Sequence, residues 1–465
     1  MRQHSLMQIQ CVDVTKLKLL GILALATLLR FFGLGVKQLW IDEILQVIHS
    51  RSDSLQGILA GVAQDRGAAP LDYLIQHFTI GSLGGDIQWT ARIHAAMFGV
   101  LAVLLIYLVC QELLNNQRLS LMCALLFCFY PFHHHYSQEG RPYSLFLLLT
   151  LWLYFLLLRL MKRNKLSTWG WYVIAAIMIF YAHAYASLVL FGQLLFLVYH
   201  QILKREKWRI AMGRGICFLF SGALAAAAYL PWLLYTFPEA KGDAPPVINI
   251  RLFLQMIKEL GDGSYPFALV LLICAFIGIH SLIQKQRSLE LGMLLIWLLT
   301  PIPVILIILS WREYFFATRQ LIFITPAIFI LAAVGVDFIK KNIGHKYFSP
   351  ELVLILMSVV IIALHYPDRR DDLLSAGHFL KNNTQLHDVI ISPNLTGVLS
   401  FYFPDIHNYA VSEYSIKDLA VARDISRIFY VDSRFNDDRA SFNNLLSSMP
   451  QQKQIKFRGI TIYIF

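Results

Sequence analysis

The chain has 465 residues, 57% of them hydrophobic and 15% charged, with a mean hydropathy of +0.57 and a net charge of +11. Soluble domains carry roughly 25% charged residues, so this composition excludes an ordinary soluble enzyme and makes lipid the solvent. The positive balance does not mark a nucleic-acid partner either, because the basic residues sit mainly at the ends of apolar runs, where they report topology.

Apolar runs approaching the ~20 residues needed to cross a bilayer recur along the chain. They predict helices near 19–36, 90–110, 119–132 and 142–161, and two more sharing 169–201 with a break around His183 and Tyr185. Others follow near 215–236, 265–284, 291–310, 321–339 and 350–366. The expectation is a polytopic α-helical protein with about eleven transmembrane helices over residues 1–366 and a soluble α/β domain over 367–465. Basic clusters at Lys162/Arg163/Lys165, Lys204 to Arg214, Lys285/Arg287 and Lys340/Lys341/Lys346 mark cytoplasmic loops. The tail bearing Arg2, Lys16 and Lys18 falls on the same side, and an odd number of crossings then puts the C-terminal domain outside. No small-residue cleavage site follows the first run, which reads as a retained helix.

The first outer loop, 37–89, exceeds what a connection requires, and long loops tend to carry function. Helical spacing of its apolar residues predicts short amphipathic surface helices over Ile41–Ser50, Ser54–Gln64 and Pro70–Ile80. A second outer segment, Phe237 to Ser264, holds Pro238, Pro245 and Pro246 before another amphipathic stretch and suits a flexible cover. In the tail, helices are expected over 371–381, 395–403 and 441–446. Strands are expected at 389–391, 428–431, 455–457 and 460–465. The cysteines, Cys11, Cys110, Cys123, Cys128, Cys217 and Cys274, form neither a disulfide framework nor a zinc spacing.

Ionisable residues on the outer side are not explained by the positive-inside rule. Asp42 and Glu43 either charge the start of a surface helix or serve as a general base or metal ligand. The stretch His133-His134-His135-Tyr136-Ser137-Gln138-Glu139-Gly140-Arg141-Pro142-Tyr143 lies between two apolar helices. Adjacent histidines diverge, which disfavours zinc but leaves a divalent metal open. Arg141 with Tyr143 suits a phosphate, the alternative being a snorkelling arginine. Tyr181, His183 and Tyr185 mark the break between two helices, and Trp311-Arg312-Glu313-Tyr314 precede Thr318-Arg319. Arginines and a carboxylate pair on one membrane face suit transfer from a lipid phosphate.

These residues resemble, in order and spacing, the polyprenyl-phosphate-dependent glycosyltransferases of the GT-C fold, the group containing protein O-mannosyltransferases and the aminoarabinose transferases of lipid A. Ser137-Gln138-Glu139-Gly140-Arg141-Pro142-Tyr143 is close to the family's S-Q-E-x-R-P-Y. Asp42-Glu43 matches its acidic pair, Pro70-Leu71-Asp72-Tyr73 its P-P-L-x-Y element, and Arg319 its R-Y before a Pro-containing helix. The resemblance implies Asp42 as base or metal-linked carboxylate, supported by Glu43. It places Arg141, Tyr143 and Arg319, with Glu139 and His183, around the carrier phosphate. The chain departs from the pattern at Ala68-Ala69, where many members have His or Lys with Pro, and at Gln320, where they have Tyr. The implied protein is an inverting enzyme of the bacterial inner membrane, with a polyprenyl-phosphate sugar as donor and an envelope glycan, lipid or protein as acceptor. A lipid-linked sugar flippase would instead line a path between both faces with arginines, and a non-catalytic assembly subunit would turn Asp42 away from any cavity.

Overall fold

The computed structural model describes residues 2–65, 68–236, 248–311, 316–343, 349–365, 371–385, 388–392, 395–405, 408–409, 426–433 and 453–465. The prolines at 238, 245 and 246, the Arg312-Glu313-Tyr314 group, Lys346 and the helix expected near 441–446 lie outside them. In chain order the first helices are α1 (Arg2–Phe31), α2 (Ile41–Ser50), α3 (Leu55–Gln64), α4 (Leu71–Leu83), α5 (Ile87–Thr90), α6 (Ile93–Leu114) and α7 (Gln117–Cys128). There follow α8 (Pro131–Ser137), α9 (Tyr143–Lys162), α10 (Leu166–Ala182), α11 (Ala186–Lys204), α12 (Trp208–Thr236) and α13 (Ile250–Leu260). The remainder are α14 (Tyr265–Gln284), α15 (Ser288–Leu299), α16 (Pro301–Trp311), α17 (Thr325–Ile343), α18 (Pro350–His365), α19 (Leu373–Asn383) and α20 (Thr396–Tyr402). A 3₁₀ segment, Thr318–Ile324, leads into α17.

Seven helical stretches among the described residues are long and apolar enough to cross a membrane: 87–114, 143–162, 186–204, 208–236, 265–284, 288–310 and 318–342. The helices 117–128, 166–182 and 350–365 are apolar but shorter. Two boundaries differ from the sequence expectation for visible reasons. Helix α1 starts at Arg2 instead of residue 19, since no proline or glycine interrupts 2–18. The helix expected over 119–132 stops at Cys128, because Pro131, lacking an amide hydrogen, opens a separate helix at its first position.

The chain folds as two compact units. The first comprises 1–35 and 50–364, the second 36–49 and 365–465. In the first, α14 and α17 pack at backbone contact: a Cβ on Gly335 would meet the Cys274 carbonyl oxygen at 1.8 Å, and one on Gly278 the Leu331 oxygen at 2.0 Å. Apolar lipid gives helices little hydrophobic reason to associate, so small residues that permit such approach supply the contact. Trp297 stacks on Tyr154 at 3.6 Å between ring centroids, and its indole donates to the Phe323 carbonyl at 2.8 Å, tying the 3₁₀ segment to the core.

Polar contacts gather the basic helix ends. Lys162 binds the Glu112 carboxylate at 2.8 Å and Arg287 donates to the Leu114 carbonyl at 3.2 Å, so both reach the C-terminal end of α6. Lys340 pairs with Glu351, and Lys341 with Asp337 at 2.6 Å.

In the second unit a five-stranded sheet comprises β1 (Asp388–Ile391), β2 (Asn408–Tyr409), β3 (Arg427–Ser433), β4 (Lys453–Phe457) and β5 (Ile460–Ile464). Its order is β2-β1-β3-β5-β4, with β1 parallel to β2 and β3, and β5 antiparallel to β3 and β4. Ile428 to Val431 and Ile390 to Ile391 are buried at its centre. The segment carrying α2 belongs to this unit: Leu39 N–H donates to the Tyr402 hydroxyl at 2.8 Å, and Gln38 bonds Asp371 and Leu374.

Candidate functional site

The Ser137-to-Tyr143 stretch is a joint whose residues divide into braces and site groups. Helix α1 ends with orphan carbonyls, and these are satisfied from the joint. The Gln138 amide donates to the Arg30 and Phe32 carbonyls at 3.1 and 2.8 Å, and His134 Nε2 meets the Leu29 carbonyl at 2.9 Å. Ser137 Oγ returns to the His133 carbonyl at 2.6 Å. A Cβ on Gly140 would sit 2.5 Å from the Ala91 carbonyl oxygen, so only glycine lets the joint pass the start of α6. Gln76 on α4 donates to that same oxygen at 2.9 Å.

With these braces set, Arg141 and Tyr143 face the end of α3 and the 3₁₀ segment. Arg141 Nη1 lies 3.3 Å from the Asp65 carboxylate and 3.4 Å from the Tyr73 hydroxyl, and the Tyr73 hydroxyl donates to Asp65. Burial pushes the Tyr73 phenol well above 10, so it stays a donor. Tyr73 occupies the first turn of α4, and the Trp232 indole of α12 donates to the Ala68 carbonyl ahead of it at 3.2 Å. Arg319 Nε donates to the Tyr143 hydroxyl at 2.7 Å, its guanidinium 5.7 Å from the ring centroid. Every other residue of the 3₁₀ segment is buried, leaving Arg319 as its half-buried member. Gln320 accepts from the Tyr185 hydroxyl at 3.0 Å.

His183 stacks on Phe146 at 4.5 Å and lies 6.4 Å from the Tyr143 ring. Burial, then the Arg141 cation, bring its imidazole down to about 4, so it is neutral here. Glu139 is buried, with a carboxylate oxygen 3.6 Å from His135 Nε2, and His135 Nδ1 lies 3.2 Å from Asp262. Partial burial opposes the charged imidazole, but the two carboxylates outweigh it and raise His135 to about 9. The three histidines therefore point three ways: His133 to Arg30 at 3.0 Å, His134 to the end of α1, His135 to the carboxylates. Among the described residues no group of three His, Cys, Asp or Glu side chains could hold a metal ion.

Asp42 and Glu43 belong to the second unit. Glu43 is fully buried and its carboxylate accepts the Trp40 N–H at 3.3 Å across the start of α2, while Asp42 beside it is half-buried. Sequence reasoning missed Asp65 and Asp262. The glycines on both sides of Asp262 signal a tight turn, where its φ is 50°, but carry no signal for its pairing with His135. Asp65 carries none, because its partners lie 8 and 76 residues away.

The site lies at the N-terminal end of α6 and the basic clusters at its C-terminal end, about 33 Å apart at 1.5 Å per residue. Beside it opens a groove of about 940 Å³ walled by Leu59, Leu74, Met178, Tyr181, Trp232 and Tyr235.

The chain is a bundle of apolar helices with arginine–tyrosine pairs at one end, and its fold is that of solved membrane proteins. Residues 69–235 match the family profile of dolichyl-phosphate-mannose-protein mannosyltransferases. Among solved structures, ArnT from Cupriavidus metallidurans in the apo state superposes with a TM-score of 0.66 at 11% identity, covering 96% of this chain and 97% of that one. The same protein bound to undecaprenyl phosphate gives 0.61 at 13% identity over the same shares. The Archaeoglobus fulgidus oligosaccharyltransferase AglB, in complex with an inhibitory peptide and a dolichol-phosphate, gives 0.55 at 10% identity, over 90% of this chain and 69% of that one. No curated protein sequence matches the chain.

Proposed function

We propose that this protein is an integral membrane glycosyltransferase that moves a sugar from a polyprenyl-phosphate carrier to an acceptor at the outer face of a bacterial inner membrane, with inversion at the anomeric carbon. The observation that carries this reading is the pair of arginines, Arg141 against Tyr73 and Arg319 against Tyr143, with Tyr73 packed beside residues that wall an apolar groove. Guanidinium groups suit the oxygens of a carrier phosphate, whose hydrocarbon tail the groove would take, and Arg141 faces the Asp65 carboxylate as well. ArnT and AglB, whose fold the chain shares, have been crystallised or captured with undecaprenyl phosphate and dolichol-phosphate.

In this reading Arg141 and Arg319 stabilise the charge that builds on the departing phosphate, and Tyr143 is oriented by Arg319. Phosphate is a good leaving group and needs no strong acid. Asp42, the half-buried member of its pair, is the candidate base for the acceptor hydroxyl, whose attack opposite the departing phosphate inverts the centre. Glu43, engaged with the Trp40 amide, positions the helix start. Neutral His183, stacked on Phe146, lies beside Tyr143.

Adding α1, α7, α10 and α18 to the seven longer spans brings the crossings to about eleven. The positive-inside rule then sets the C-terminal end of α6 in the cytoplasm, the N-terminus with it, and the site and residues 367–465 outside. Mass spectrometry of envelope glycans from a deletion strain tests the proposal. The expected result is one glycan or lipid lacking a single sugar, with its polyprenyl-phosphate precursor accumulating. Unchanged envelope glycans and carrier pools would overturn it.

A further inference from the structure

The Arg141 guanidinium that the proposed function assigns to the carrier phosphate already has an anion beside it: Asp65, 3.3 Å from Nη1 and fixed by the Tyr73 hydroxyl. Asp65 is no chance neighbour. It is the residue that ends α3, where its backbone N–H donates to the Val62 carbonyl. Its carboxylate faces Arg141, and Tyr73, itself buried in the first turn of α4, donates to it there. A carboxylate in this place cancels much of the attraction that one arginine exerts on a phosphate.

Resting on the carrier-phosphate reading, we infer that Asp65 is a fixed counter-anion that distinguishes the carrier before transfer from the carrier after it. The donor is a phosphodiester with one negative charge. Transfer breaks the bond between the sugar carbon and the phosphate oxygen, leaves both electrons on that oxygen, and yields a monoester whose second pKa is near 6. Above neutral pH the product therefore carries close to two charges. Two arginines alone would hold this dianion more tightly than the donor and retain the product. Repulsion from a fixed carboxylate scales with the charge of its neighbour, so Asp65 penalises the product twice as strongly as the donor. Its role is to speed product release, which in many enzymes limits turnover.

The test uses the purified full-length protein in lipid nanodiscs at pH 8, titrated calorimetrically with farnesyl monophosphate and with its methyl diester, dianion and monoanion of one chain length. Asp65→Asn keeps the shape and hydrogen-bonding capacity but removes the charge. A screened unit charge at this range is worth about threefold in binding for the diester and, by the squared factor, about tenfold for the monoester. The expected result is that D65N tightens the monoester about tenfold and the diester about threefold, while Asp65→Glu restores wild-type values. A residue with only a structural role would loosen both when changed. Equal tightening of the two probes, no change, or weaker binding would overturn the inference. Should D65N prove misfolded by its melting temperature, Asp65→Ser is read by the same criteria. The carrier reading fails separately: that is the outcome if wild type binds neither probe, or if Arg141→Ala binds both as wild type does.

Discussion

At the scale of single residues, two carboxylates on adjacent positions have separate surroundings. Glu43 is buried against a backbone amide, whereas Asp42 is accessible, which makes Asp42 the residue to test as base. A helix-start role would lose almost nothing on Asp42→Asn, because Asn serves there about as well as Asp. A general base is worth roughly 100-fold to 10,000-fold in rate. Turnover of a polyprenyl-phosphate sugar by purified D42N should therefore fall by at least about 100-fold; near-normal turnover removes Asp42 from the mechanism. His135 offers a pH test. Its folded-state pKa is raised from 6.5 to about 9, so the stability it contributes is fully present below about pH 6.5 and is lost as pH rises through 9. The imidazole is 40% exposed, and solvent screening keeps this contribution near ~1 kcal/mol. The melting temperature of His135→Gln should lie below wild type at pH 6 and meet it by pH 9.5; a gap independent of pH would contradict the pairing. Arg141, Tyr143 and Arg319 stood out in the sequence as candidates because a charge beside an apolar run has few ordinary explanations, and the structure sets Arg319 against Tyr143 and Arg141 against Tyr73. Asp65 and Asp262 were not, since their significance comes from partners that only folding brings near.

Among elements, periodicity read well wherever one face of a helix meets a different environment from the other. The expected 41–50, 54–64 and 70–80 stretches correspond to α2, α3 and α4, and the break at His183 separates α10 from α11. What escaped was set by backbone chemistry or by partners: Pro131 restarting a helix, and the affiliation of α2 with the C-terminal unit through Gln38 and Leu39. The α14–α17 contact was also invisible, because glycine in an apolar run has several explanations and only the 1.8 Å approach at Gly335 selects one. Gly335→Ala pushes a methyl into a backbone carbonyl, which cannot rotate away, and overpacking of this kind costs about 1–3 kcal/mol. Its melting temperature in detergent should fall by several degrees, while Gly222→Ala on α12, where nothing lies within 4 Å, should match wild type. Equal stability of the two variants would mean that α14 and α17 do not meet so closely.

For the whole molecule, α6 separates two chemistries: basic residues that neutralise helix C-termini at one end, arginines paired with tyrosines at the other. The first arrangement needs only an aqueous interface with anionic lipid, whereas the second sets two arginines where the proposal puts the carrier phosphate, one of them already beside Asp65. Everything proposed for the site depends on its binding the carrier phosphate, which is read by the affinity of purified wild type, Arg141→Ala and Arg319→Ala for a polyprenyl monophosphate in nanodiscs. A charge-assisted contact of this type is worth about 1.5–3 kcal/mol, so each variant should bind at least about tenfold more weakly than wild type. If both variants bind as wild type does, the phosphate is held elsewhere and the account is wrong.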